Sequence, residues 1–159
     1  MLVQPWRLTY FNNQSPSVGM VAPVPSAPDN DGLAYQIRLV GPLFGTRGGI
    51  FEQDFQLPSG TVVRCGAQGM QQRTDGITTT LQMLIDGYPC GSATDLENDV
   101  WSAVGGNSDI ILIGQTHTVS VTIASEGVEG NDPQTFFLDS IFVRPVNAES
   151  PAPPLCPLL

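Results

Sequence analysis

The chain has 159 residues, of which only 13% are charged, with 17 glycines, 14 prolines and a net charge of −9. That length suits one domain with a sizeable core, and the glycine- and proline-rich composition fits short strands joined by turns better than a helical bundle. The acidic balance argues against nucleic acid and anionic membranes, which call for a basic surface, and suits neutral ligands such as glycans or a bound cation.

The opening segment, Met1 to Arg7, has neither the basic nor the apolar region of a secretory leader and passes at once into strand-like sequence, with a strand predicted over 6–11. Residues 15–28 are rich in proline and serine and are predicted to form a long surface loop. Alternation then sets in. Over 33–39, Leu33, Tyr35, Ile37 and Leu39 share one face, and Ala34, Gln36 and Arg38 the other. Over 50–57, Phe51, Phe55 and Leu57 oppose Glu52, Asp54 and Gln56; over 61–70, Val63, Cys65 and Ala67 point inward, and Arg64 and Gln68 outward. Over 77–86, Ile77, Leu81, Met83 and Ile85 are inward, and Thr78, Thr80 and Gln82 outward. A short helical turn is expected near 92–98, a short strand around Trp101 and another strand over 110–113. Over 116–124, His117, Val119, Val121 and Ile123 form the inward series. The segment 134–143 is apolar on both faces, as in a central strand, and sets one carboxylate, Asp139, among hydrophobes. A carboxylate buried there must find hydrogen-bond donors or a metal, since leaving it unpaired costs several kcal/mol.

Turn signals separate these segments at Asp31-Gly32, Gly48-Gly49, Pro58-Ser59-Gly60, Asp75-Gly76, Asp86-Gly87, Gly105-Gly106 and residues 127–131. The pattern predicts an all-β fold, an antiparallel β-sandwich of the jelly-roll kind, over residues 1–146, with a Pro-rich flexible tail over 147–159. No apolar run approaches the roughly 20 residues needed to cross a bilayer.

Several residues carry potential chemistry. Cys65 lies in a predicted strand and Cys90 follows a turn, so the two could pair across neighbouring strands; the alternative is three reduced thiols, with Cys156 in the tail. With no CxxC and a single histidine, a zinc site is not expected. The polar strand faces supply Gln36, Arg38, Glu52, Arg64, Gln68 and Gln82, whose amide, carboxylate and guanidinium groups suit hydrogen bonds to vicinal hydroxyls. The same residues also read as a wet sheet face with cross-strand ion pairs such as Glu52 with Arg64. Tyr88, at the tip of the Asp86-Gly87 hairpin, is exposed by position and is a candidate ligand contact. Trp6 and Trp101 suit either sugar stacking or edge packing. Glu52 and Asp54 sit two apart on one strand, about 7 Å at Cα, whereas glycosidases place two carboxylates across a cleft. His117, in an inward series, reads as a satisfied core residue. Asn13-Gln14-Ser15 is an N-glycosylation sequon followed by Pro16.

The order of motifs carries a resemblance. Pro5-Trp6, Asp31 to Ile37, Phe51-Glu52-Gln53-Asp54-Phe55, Leu81 to Gly87, Val100-Trp101-Ser102 and Phe137 to Val143 follow one another over about residues 3–145. In that order they resemble the galactose-binding-like jelly rolls, especially fungal secreted modules similar to carbohydrate-binding module families 4, 9 and 22. The family's opening Asn, Phe-Glu and Gly segment is missing, which implies that the chain begins late. The resemblance implies a non-catalytic module that binds a cell-wall or extracellular glycan. It also implies a structural Ca²⁺ held by Asp139 with oxygens from Asp29 and Asp31, calcium taking about six to eight oxygens. A structural or adhesive surface domain without a sugar pocket is the second expectation, and a jelly-roll hydrolase a remote third.

Overall fold

A computed structural model describes residues 6–10, 17–23, 33–39, 47–72, 77–94, 96–106, 108–127 and 134–146. Eleven strands are found among them: β1 (Arg7–Tyr10), β2 (Ser17–Pro23), β3 (Leu33–Leu39), β4 (Arg47–Gln56), β5 (Val62–Gln72), β6 (Ile77–Ile85), β7 (Tyr88–Thr94), β8 (Ser102–Gly105), β9 (Ile110–Ile111), β10 (Thr116–Gly127) and β11 (Gln134–Pro145). They form two antiparallel sheets. The first has the order β1-β4-β10-β6-β7; the second has the order β2-β3-β11-β5-β8, with β9 also on β5. The all-β antiparallel sandwich expected from the alternation is the fold observed. Apart from β2–β3, β6–β7 and β8–β9, sequential strands are dealt to opposite sheets, so most core contacts are between residues far apart in the chain.

The inward series meet as read. Phe51, Phe55, Leu81, Met83, Ile85, Val119, Val121 and Ile123 from the first sheet pack against Val63, Cys65, Ala67, Val104, Phe136, Leu138 and Val143 from the second. Burying each large side chain contributes roughly 1.5–3 kcal/mol, whereas an exposed ion pair contributes about 1 kcal/mol or less. The interior therefore decides the stability, and the charged outer faces are available for other work. Cys65 on β5 and Cys90 on β7 form a disulfide with Cα atoms 5.9 Å apart. Its strands belong to opposite sheets, so the bridge crosses the sandwich instead of linking neighbouring strands as expected. Asp86 and Gly87, both at positive φ (51° and 82°), make the tight hairpin between β6 and β7.

Four expectations are corrected. Residues 17–23 are not loop but strand β2, paired with β3 at the edge of the second sheet. Val18 and Val21 favour strand, and Pro23 is tolerated on an outer strand, where a missing N–H can face away from the ladder. Among the described residues of 92–98 no helical turn is found: residues up to Thr94 extend β7, which the hairpin commits to β6, and Asn98 bridges Gln71. Gly48-Gly49 is not a turn but lies within β4, where a Cβ on Gly48 would overlap the Ile123 backbone of β10. Glu52 and Arg64 form no ion pair, because β4 and β5 are in different sheets. Asn13-Gln14-Ser15, Asp29, Asp31-Gly32, Asp75-Gly76, Cys156 and the tail 147–159 lie outside the described residues.

One irregularity matters later. Between Asp139 and Phe142, β11 carries one more residue than its partner β5, which advances only from Gln68 to Gly66. Ser140 sits in this bulge at φ 51°.

Candidate functional site

The outer face of the first sheet is hydroxyl-rich. Register places Arg7, Glu52, Ser120 and Leu84 in one row across β1, β4, β10 and β6, and Ile50, Thr122, Gln82 and Ser92 in the next across β4, β10, β6 and β7. Asp54 and Thr118 form a third. Alternation puts these side chains outward because Phe51, Gln53, Phe55, Val119, Val121, Leu81 and Met83 are the buried members of the same strands. Ser120 Oγ donates to Glu52 Oε1 at 3.3 Å, and Thr118 Oγ1 donates to Asp54 at 2.7 Å. Arg7 binds both oxygens of Asp54, at 2.8 and 3.0 Å, and lies 4.0 Å from Glu52.

This neighbourhood explains the charge states. The hydrogen bond from Arg7 holds the Asp54 carboxyl below the usual carboxylate range, aided by Thr118, while partial burial opposes the shift. The same bond pushes Arg7 upward. Because the folded value of Asp54 is depressed, its contribution to stability is present above about pH 4, the ordinary aspartate range, and is lost as pH falls through the folded value. The pair is partly solvated, so the effect is small. In Arg7→Gln, the Asp54 carboxyl carbon followed by NMR is expected to titrate closer to the ordinary value. An unmoved titration would show that Thr118 alone sets the shift. Glu52 and Asp54 thus share one arginine and hydroxyl donors on a single strand.

The predicted site residues divide between the sheets. Glu52 on β4 and Gln82 on β6 share the outer face of the first sheet, and Tyr88, 65% exposed, opens β7 at its edge. Arg64 and Gln68 are on β5, and Gln36 and Arg38 are on β3, all in the second sheet. Arg64 Nε donates to Asp109 at 2.5 Å. Asp139, 7% exposed on β11, accepts the Ser140 N–H at 2.7 Å through Oδ1, one of the donor bonds its burial calls for. Its expected calcium partners Asp29 and Asp31 lie outside the described residues, among which no group of three His, Cys, Asp or Glu gathers to hold a metal.

The two tryptophans pack against apolar neighbours. Trp6 stacks on Phe51 with centroids 4.7 Å apart, and Trp101 covers Met70 and Phe137 on the outer face of the second sheet. His117 is buried, its Nδ1 2.7 Å from Asp86 Oδ2 and its Nε2 3.1 Å from the Leu57 carbonyl. Asp86 also accepts the Thr118 N–H at 2.8 Å. The hairpin aspartate therefore ties β6 to β10, a role invisible when Asp86-Gly87 is read only as a turn. Arg7, Thr118, Ser120 and Thr122 were not singled out in the sequence. The run of hydroxyl residues on the outward positions of 116–124 was the available signal. Among the described residues, a cavity of about 260 Å³ is lined by Gln56, Leu57, Pro58 and Gln115, none of them titratable.

The sequence matches no protein-family model and no curated protein. Solved structures do resemble the fold. TmCBM61, determined with β-1,4-galactotriose, has a TM-score of 0.53 at 18% identity, covering 89% of this chain and 88% of that one. The C-terminal family 22 carbohydrate-binding module of Clostridium thermocellum Xyn10B has a TM-score of 0.53 at 11% identity, covering 90% and 88%. The enzymatically active domain of bacteriophage CBA120 tailspike protein 4 also has a TM-score of 0.53 at 11% identity, but this chain spans only 19% of it. The architecture, an antiparallel β-sandwich of the jelly-roll kind, is the one used by carbohydrate-binding modules.

Proposed function

We propose that this protein is a non-catalytic module that binds a neutral stretch of an extracellular or cell-wall glycan on the outer face of its first sheet. The observation that carries the reading is the likeness, over about nine tenths of both chains, to a module determined with a galactotriose. Glu52, Thr122 and Gln82 supply donors and acceptors on a rigid sheet, the arrangement that fits an array of sugar hydroxyls. Tyr88 adds an exposed ring at the edge. The Arg7–Asp54 pairing makes Glu52 and Asp54 an ion-paired cluster and not an opposed acid and base. The cross-sheet disulfide accords with an oxidising, extracellular setting.

The test is binding to a panel of soluble and insoluble polysaccharides, with calcium and with EDTA. Selective binding that weakens about tenfold in Gln82→Ala is expected, the order of one or two lost hydrogen bonds. Sensitivity to EDTA would support calcium at Asp139 with Asp29 and Asp31. Sugar release abolished by Glu52→Gln would favour a hydrolase instead. Binding to no glycan would favour the adhesive domain, for which Ile111 and Ile113, 67% and 83% exposed beside the short strand β9, offer an apolar edge.

A further inference from the structure

Two arginines stand directly opposite each other on the second sheet. Arg64 of β5 and Arg144 of β11 are register partners, and like charges at directly opposed positions destabilise a sheet. The chain has six cationic residues in all and a net charge of −9, so crowding two of them is not a by-product of a basic surface. Each guanidinium is held in place by a different neighbour. Asp109 takes the Nε edge of Arg64 at 2.5 Å. Phe142 lies beneath Arg144, whose Cζ is 4.7 Å from the ring centroid. The Phe142 ring itself reaches over Gly66, where any Cβ would collide with it. Around these groups lies a cavity of about 250 Å³, lined by Arg64, Gly106, Phe142, Arg144, Pro145 and Val146. Among the described residues, two guanidinium groups and one carboxylate leave the site one positive charge in excess, and no acidic side chain pairs with Arg144.

We infer that Arg64 and Arg144 bind an oxyanion carried on a saccharide, a uronate carboxylate or a sulfate ester, on the sheet opposite the hydroxyl-rich face. An oxyanion between the two forks turns the like-charge repulsion into charge-assisted hydrogen bonds, and arginine is the side chain whose planar donors match such groups. Phe142 is a positioning residue that holds Arg144. The acidic surface as a whole repels a densely charged polyanion. The chemistry selected is therefore an otherwise neutral glycan with isolated acidic groups, reached from one sheet while neutral sugars lie on the other. This rests on the glycan-binding reading above.

The experiment titrates the intact protein with three oligosaccharides of one backbone, bearing one uronate, one sulfate ester or neither, and with free acetate and sulfate. Calorimetry reads affinity, and the arginine Nε–H signals report the site. The expected result is tighter binding of a charged oligosaccharide than of its neutral parent. The advantage should fall about tenfold in Arg144→Gln and in Arg64→Gln, weaken with salt, and shift both arginine signals. Which charged sugar wins separates carboxylate from sulfate. Melting temperature is the control: removing one of two opposed like charges is expected to leave it unchanged or raised. Equal affinity for charged and neutral sugars, indifference to Arg144→Gln, or free anions binding as tightly as the charged sugar would each overturn the inference. If neutral sugars still bind through Gln82 in that case, the glycan-binding reading stands alone. If no sugar binds at all, both fall.

Discussion

The variant lacking both Cys65 and Cys90, each replaced by alanine, is expected to lose about 3–4 kcal/mol of unfolding free energy and to melt roughly 10 °C lower. The two residues are separated by 25 positions, and the bridge closes that loop in the unfolded chain. Its position adds a second reason. It joins β5 to β7, an inner strand of the second sheet to an edge strand of the first. Among the described strands β7 is hydrogen-bonded only to β6, and the disulfide ties it covalently to the opposite layer. Thermal and urea unfolding of the oxidised protein, the reduced protein and the double variant would measure the effect. A loss below about 1 kcal/mol would mean that packing alone closes this end of the sandwich.

Gly91→Ala and Gly105→Ala are expected to be comparably severe, each costing about 3 kcal/mol or more. These glycines meet between the sheets, beside the disulfide. A Cβ on Gly91 of β7 would overlap the Gly105 backbone of β8, and a Cβ on Gly105 would overlap the Cys65 carbonyl. The obstruction is main chain, which cannot rotate away as a side-chain tip can. Gly105 also sits at φ 83°, so alanine there adds conformational strain. Gly60 is the control. It has φ 85° with no atom within 4 Å of a built Cβ, so Gly60→Ala carries only the backbone term, about 1–2 kcal/mol. Chemical denaturation of the three variants separates the two costs. Equal losses at Gly60 and Gly91 would show that the sheets part easily to admit a methyl group.

Much of the fold was legible because most strands bury one face. In β4, β5, β6 and β10 a two-residue period assigns inside and outside without knowledge of any partner, and Phe51, Phe55, Val63, Cys65, Leu81, Met83, Val119 and Val121, assigned inward, are buried. β2 was missed because Pro16, Pro23 and Pro25 give its segment the composition of a loop, while an edge strand needs only one ladder of hydrogen bonds. β7 was missed in part because its last residues are small and polar, and its state is set by the hairpin that leads into it.

The candidate site was less legible than the fold, for a different reason. Period-two reading says that Glu52, Arg64 and Gln82 face out, but not out of which sheet. Glu52 and Gln82 share one outer face and Arg64 lies on the other, a separation decided by long-range pairing that local sequence does not encode. The opposition of Arg64 and Arg144 is of the same kind: it exists only in the register between β5 and β11. Neither residue signals the other in the chain.

That register turns on the extra residue at Ser140. β11 is in effect two strands of opposite phase spliced end to end. Upstream of the splice the even-numbered side chains Phe136 and Leu138 fill the core; downstream an odd-numbered one, Val143, does so, and Arg144 faces out opposite Arg64. The surplus residue works like a one-step frameshift in a two-letter code. Deleting it would leave the downstream faces as they are, Phe142 and Arg144 outward and Val143 inward, and would set Ile141 opposite Ala67 in an unbroken ladder. What the surplus residue adds is a local bend, and an N–H at Ser140 for the buried Asp139 carboxylate to accept.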